Sequence, residues 1–266
     1  MVRAYSAGKL PQHYAPAGLW GTPWATIDGG RLQKSFFKAG GNYVPTWGSF
    51  NPAALENGLF MAVEFVGPRG LSVLGVGDSL TLGQTTTAWA NSFGHQACTA
   101  LSTPSLPVYW ANYGYGGQTS PVFFARAKLL IDDLRPDVLI IPSWSPNDAF
   151  SAANLTLSLA AAVMLADYAI RKGVVPIITT PMPNNTLNTA SDAIRLDLRD
   201  RVLALAGSYI IADFDAVVSD NATPARLLTA YDSGDHLHPN DAGHAALATQ
   251  AIIPALRKVM AARARG

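Results

Sequence analysis

The chain has 266 residues, 49% of them apolar and 14% charged, with a formal charge of +1. Such a length and apolar share suit a folded chain of one or two domains and exclude a disordered polar one. Near-neutral charge, with no basic run in the interior, argues against nucleic acid or an acidic membrane surface as the main partner.

Residues 1–68 are rich in glycine, proline and aromatics, among them Trp20, Trp24, Phe36, Phe37, Tyr43, Trp47 and Phe50, with a turn signal at Asp28-Gly29-Gly30. Short strands and turns are expected here, with a strand over 59–66 and a short helix near 52–57. The opening MVRAYSAGKLPQHYAP lacks the apolar stretch of a secretory signal, which fits a cytosolic protein and equally a mature secreted chain.

From Leu71 onward the texture changes to apolar strand, then amphipathic helix, repeated. Strands are predicted over 71–76, 108–112, 138–142, 174–179 and 209–213. Helices are predicted over 88–101, 121–134, 155–172, 190–205 and 241–264. Apolar strands alternating with helices imply a parallel sheet covered on both faces, so 69–266 is read as one α/β domain behind an irregular, β-rich N-terminal segment, 1–68. No run of about 18 apolar residues is seen, and no transmembrane segment is expected. The lone Cys98 excludes an intramolecular disulfide and any multi-cysteine zinc site, and reads as a small buried hydrophobe. Arg257, Lys258, Arg263 and Arg265 close the last helix, where cations favour the C-terminal end of the dipole.

Ligands on parallel sheets bind beyond the carboxyl ends of the strands. Those ends carry Gly77-Asp78-Ser79-Leu80, then Asn112-Tyr113-Gly114-Tyr115-Gly116-Gly117-Gln118-Thr119, then Trp144-Ser145-Pro146-Asn147-Asp148, and, after a long loop, Asp235-His236-Leu237-His238-Pro239-Asn240. Each residue type suits acyl transfer. A serine hydroxyl is a weak nucleophile until an imidazole takes its proton, so Ser79 needs a histidine, and that histidine needs an acid to fix its tautomer. Asp235 and His238 are close enough in a turn to pair. A developing oxyanion needs preorganised donors, which the Ser79 amide, the Gly117 N–H and the Asn147 side-chain NH₂ can supply, with Gly116 as the alternative to Gly117. Taken singly, each cluster reads as an ordinary turn or helix cap. Their joint occurrence, in order and each after a predicted strand, favours a site.

Other titratable groups read more plainly. His236 rivals His238 but faces the other way in a tight turn. His95 and His244 fall on helices and are read as surface or core residues. Asp78 is read as accepting backbone N–H groups where the following helix begins. No helical H-x-x-x-H pair supports a metal.

These clusters resemble the blocks of the SGNH hydrolases, also called GDSL esterases and lipases, over about 71–264, three quarters of the chain. The run Asp235-His236-Leu237-His238-Pro239-Asn240-Asp241-Ala242-Gly243 is particularly similar to that family's final block. The resemblance implies a flavodoxin-like three-layer α/β/α sandwich that hydrolyses esters, thioesters or O-acetyl groups without a cofactor. It carries over Ser79 as nucleophile, His238 as base, Asp235 as its orienting acid, and Ser79, Gly117 and Asn147 as the oxyanion hole. One departure is Ser145-Pro146 where the family has glycine before its Asn-Asp, and proline restricts the backbone of its neighbour. The larger α/β-hydrolase group is disfavoured, because its Gly-x-Ser-x-Gly elbow lacks the second glycine here.

The function expected is therefore a serine ester hydrolase acting on carboxylic esters with short acyl chains. A carbohydrate O-acetyl esterase is the alternative within enzymes, with the N-terminal aromatics as a sugar-stacking wall. A catalytically inactive ligand-binding or assembly module is the alternative outside them. The expected partner is a small-molecule ester or acetylated carbohydrate, with neither metal nor cofactor; a homo-oligomer is left open.

Overall fold

In the computed structural model, which describes residues 2–6, 61–65 and 70–264, the chain divides into two units, Met1–Pro68 and Arg69–Gly266. In the first, β1 (Val2–Ser6) pairs antiparallel with β2 (Met61–Phe65), Val2 opposite Phe65 and Ser6 opposite Met61. The strand expected over 59–66 is thus β2. The aromatic residues from Trp20 to Phe50, the turn at Asp28-Gly29-Gly30 and the helix expected near 52–57 lie outside the described residues.

The second unit runs β3 (Leu71–Gly77), α1 (Ser79–Leu82), α2 (Phe93–Leu101), β4 (Val108–Gly114), α3 (Ser120–Leu134), β5 (Val138–Pro142) and α4 (Ala152–Arg171). It continues through β6 (Val175–Thr179), α5 (Thr189–Leu203), β7 (Ile210–Ala212), α6 (Asp215–Val218), α7 (Asp241–Leu247) and α8 (Ile253–Arg263). The five strands β3–β7 form one parallel sheet in the order β4-β3-β5-β6-β7. The chain therefore leaves β3 to one side for β4 and then crosses back to β5 on the other. That reversal opens a crevice at the carboxyl end of β3, the topological switch point of doubly wound sheets.

Successive strand residues enter opposite cores. Val73, Val138, Ile140 and Ile177 pack with α2, α7 and α8 on one face. Leu74, Val76, Leu139, Ile141 and Ile178 pack with α3, α4 and α5 on the other. This is the three-layer α/β/α sandwich, and it explains why the strands read as unbroken apolar runs. β3 nevertheless carries Gly75, because the Trp110 ring fills its flank: a Cβ there would lie 2.0 Å from the ring, and one on Gly94 2.2 Å from it.

Differences from the expected elements have local causes. The helix expected over 88–101 breaks at Ser92, which is extended, leaving a 3₁₀ turn at Trp89–Asn91 before α2. Asn91 there turns its amide to Asp241, 2.9 Å away. The helix expected over 241–264 passes through a π turn at Ala248–Ile252, next to Pro254, which has no N–H to continue the ladder. The strand expected over 209–213 shrinks to β7; Asp213 turns its carboxylate to Arg199, at 2.7 Å, and to Thr180, at 2.8 Å. Against expectation, α4 is long and apolar enough to cross a membrane, with a mean hydropathy of 1.5. Its Leu155, Leu159, Ala162, Leu165, Ala166 and Ala169 face the sheet core, the arrangement of a core helix.

Candidate active site

Ser79 is placed by backbone geometry. β3 ends on Gly77 at φ +155°, where a Cβ would lie 2.2 Å from Thr81 Oγ1, so only glycine fits. Asp78 follows as the cap of α1, its Oδ1 accepting the Leu80 N–H at 2.9 Å. Ser79 is then the first residue of a single helical turn at the switch point. Opposite it, Gly114 on β4 lets this turn pack closely: a Cβ there would meet the Leu82 nitrogen at 2.2 Å.

The loop after β4 is clamped from α3. Arg126 donates to the Tyr113 carbonyl at 2.6 Å and to the Gln118 side-chain oxygen, and lies 4.4 Å over the Tyr115 ring. Gly117 takes the left-handed φ +74°. The backbone N–H groups of Ser79, Gly116 and Gly117 donate to no protein acceptor among the described residues. After β5, Asn147 Nδ2 donates to the Gln118 carbonyl at 3.0 Å, which brings it beside the Gly117 turn despite the preceding proline. Asp148 holds the start of α3, accepting the Ser120 N–H at 2.8 Å and its hydroxyl at 2.5 Å.

The last block is an irregular loop fixed by its own side chains. Asp232 accepts the N–H groups of Gly234 and His236 at 2.8 and 2.9 Å, and Asn240 donates to the Ala230 and Asp232 carbonyls at 3.1 and 3.0 Å. Within it, Asp235 Oδ1 accepts the N–H groups of Leu237 and His238 at 2.9 and 2.8 Å. Asp235 Oδ2 lies 2.5 Å from His238 Nδ1, and His238 Nε2 lies 2.8 Å from Ser79 Oγ. His236, at φ +61°, turns away and pairs with Asp232. His244 is buried, its Nδ1 accepting the Phe93 N–H at 3.3 Å. Among the described residues, no group of three or more His, Cys, Asp or Glu could hold a metal ion.

Electrostatics separate the acids and bases. Burial pushes the Asp78 carboxyl up to about 6, against the opposing pull of the Ser145 hydroxyl, the Leu80 N–H and the nearby His238. Burial also raises Asp235, but hydrogen bonds from the His238 N–H, the His238 ring and the Leu237 N–H outweigh it and hold that carboxyl near 2. Burial lowers His244 to about 4 and raises the Cys98 thiol to about 12, so neither ionises near neutrality.

The geometry brings the Asp235–His238 pair to Ser79, 159 positions from His238, and sets Asn147 beside the Gly117 turn. Ser145, Gln118 and Arg126 also hold the site. Ser145 stood out in the sequence only as a departure from a family block, and Gln118 only as part of a loop. Arg126 gives no local signal, since a helical arginine reads as a solvated face.

Comparison with known proteins places this architecture. The profile of the GDSL-like Lipase/Acylhydrolase family matches residues 76–246. No match is found among curated protein sequences. Among solved structures, the chain is similar to a member of the lipolytic protein G-D-S-L family from Veillonella parvula, with a TM-score of 0.53 at 15% identity over 69% of this chain and 97% of that one. It is similar to the psychrotrophic esterase EstA from Pseudoalteromonas sp., with a TM-score of 0.52 at 14% identity over 71% and 98% of the two chains. It is also similar to a variant of Axe2, an acetyl xylan esterase from Geobacillus stearothermophilus, with a TM-score of 0.52 at 20% identity over 73% and 96%. At these identities the likeness is one of fold; the family profile, which spans more than half of the chain, carries the assignment. This chain belongs to the GDSL-like Lipase/Acylhydrolase family and is a carboxylic ester hydrolase.

Proposed function

We propose that the 69–266 domain hydrolyses esters with short acyl groups through an acyl-enzyme formed on Ser79. The observation that carries this reading is the relay from Asp235 Oδ2 to His238 Nδ1, 2.5 Å, and from His238 Nε2 to Ser79 Oγ, 2.8 Å. An ionised Asp235 keeps the imidazole proton on Nδ1, leaving Nε2 free to take the Ser79 proton as Oγ attacks the acyl carbon. The oxyanion accepts from the Ser79 and Gly117 N–H groups and the Asn147 amide. His238 then gives its proton to the leaving alcohol. Water, deprotonated by the same nitrogen, releases the acid and restores Ser79.

The short acyl preference is supported by a pocket between Asp78, Leu80 and Leu237, which adjoin Ser79 and His238 in the chain. Its lining also includes Phe93, Ile140, Met182 and Phe214, all buried in the core, and its volume, about 30 Å³, is small for a long chain. Carbohydrate O-acetyl esters are the second reading, favoured by that small cavity and by the similarity in fold to an acetyl xylan esterase. Labelling with a fluorophosphonate probe tests the mechanism: one label per chain, lost in Ser79→Ala together with p-nitrophenyl acetate hydrolysis, is expected. Labelling that persists in Ser79→Ala overturns the assignment, and a wild-type chain without labelling or turnover points to an inactive module. Comparing p-nitrophenyl acetate, butyrate and octanoate with acetylated xylan then sorts the substrate class.

A further inference from the structure

The side chain of Ser145 is 0% exposed, yet its oxygen has more partners than structural packing requires. Oγ lies 2.5 Å from Asp78 Oδ2, 2.9 Å from the Gln118 carbonyl, and 3.2 Å from both the backbone nitrogen and Nδ2 of Asn147. A hydroxyl carries one proton and two lone pairs. Above the point at which Asp78 ionises, the proton goes to the carboxylate, the stronger acceptor. Both lone pairs are then left to Asn147, one for its backbone N–H and one for its amide.

Asn147 Nδ2 also donates to the Gln118 carbonyl at 3.0 Å. The three separations among Nδ2, Ser145 Oγ and Gln118 O, namely 3.2, 3.0 and 2.9 Å, close a nearly equilateral triangle. Seen from Nδ2, the two acceptors are therefore only about 60° apart, half of the roughly 120° between the two N–H bonds of a planar amide. These two are the only protein acceptors of Nδ2 among the described residues. One N–H shared between them, or two N–H bonds straddling them, fits that angle equally, each about 30° off line; sharing leaves the second N–H for a ligand.

We propose that Ser145 is a positioning residue: anchored on Asp78, it fixes the rotation of the Asn147 amide so that one N–H is shared between Ser145 Oγ and the Gln118 carbonyl and the other faces the oxyanion. This rests on the oxyanion role proposed for Asn147. Without the hydroxyl, Asn147 keeps only the Gln118 carbonyl, and its backbone N–H loses its acceptor. The donor then has to be oriented at the moment of reaction, which removes transition-state stabilisation without weakening substrate binding.

A double-mutant cycle on the full chain at pH 8, read as kcat and KM for p-nitrophenyl acetate, tests the proposal. Ser145→Ala is expected to lower kcat about tenfold at unchanged KM, and Asn147→Ala about 100-fold. Combining them is expected to cost no more than Asn147→Ala alone, because Ser145 acts through that amide. A further tenfold loss in the double variant, or a rise in KM with kcat unchanged, overturns the positioning role and leaves the oxyanion assignment standing. An Asn147→Ala variant with full activity overturns that assignment itself, and this proposal with it. If Ser145→Ala does not fold by its thermal transition, Ser145→Gly carries the same cycle.

Discussion

Asp78 and Asp235 both adjoin the Ser79–His238 pair, but Asp78 is 1% exposed at the end of a buried strand, while the Asp235 side chain is 42% exposed in an irregular loop. Asp78 is pushed up to about 6 by burial, and Asp235 is held near 2 by hydrogen bonds. The Ser79 end of the candidate site is thus positioned by the sheet, which excludes water and tolerates an unfavourable charge. The His238 end is positioned by polar side chains binding backbone N–H groups at the surface, where a carboxylate is kept ionised. One aspartate can serve as an anchor inside the protein while the other remains a permanent anion facing the imidazole. The comparison teaches that environment, more than residue type, assigns the two roles.

The contrast can be broken at several points. The largest effect is expected at the imidazole: His238→Ala removes the ring nitrogen 2.8 Å from Ser79 Oγ and is expected to lower kcat by at least about 10⁴-fold in an ester assay. Asp235→Asn, which presents His238 with an amide and favours the wrong tautomer, is expected to cost about 10³- to 10⁴-fold. Retention of more than a tenth of the activity would show that the exposed carboxylate is not needed. On the strand side, Gly114→Ala drives a Cβ into the backbone of α1 and is expected to lower kcat about 100-fold by displacing Ser79, with KM far less affected.

Stability sharpens the same comparison, because the two carboxyls have opposite signs. A raised carboxyl such as Asp78 favours the folded state below its unfolded value of 3.8, and that contribution is lost as pH rises through about 6. Asp78→Asn, which copies the neutral acid, is therefore expected to raise Tm by several degrees at pH 8, with the gain vanishing near pH 4. A lowered carboxyl such as Asp235 favours the folded state above 3.8, a contribution lost as pH falls towards 2. Asp235→Asn is expected to lower Tm at pH 8, by less than the Asp78 gain because the group is partly solvated. Shifts of the same sign in both variants, measured by calorimetry, would end the contrast. The smallest effect is expected from His244: held neutral down to about 4, it disfavours the folded state progressively as pH falls from 6.5, and His244→Leu is expected to flatten that limb of the Tm profile.

Much of the fold is legible in the chain. Val138–Pro142 matches the expected strand residue for residue, and β3, β4 and β6 match within two residues, because buried parallel strands read as apolar runs bounded by turn formers. The one-turn helices α1 and α6 are not legible, being too short to show a helical period. Of the site, the Gly77-Asp78-Ser79 corner and the Asp235–His238 pair are visible because their partners are close in sequence. The Ser145–Asp78 contact, 67 positions apart, has no sequence signature. Nor does Arg195, fully buried on α5 between Asp192 and Asp215, since a helical pattern scores arginine as solvent-facing wherever its partners arise elsewhere.

Sequence alone determined which chemistry is available here: a strand that ends on a glycine and a serine, a turn that offers free amides, and an Asp-x-x-His turn. These are local properties, written in residue types and short spacings. Tertiary structure decided whether they meet, and in which protonation state. Strand order puts β3 at the reversal of the sheet, and burial and long-range hydrogen bonds set each carboxyl's charge. Both depend on solvent exclusion and on contacts between distant segments, which no local window contains.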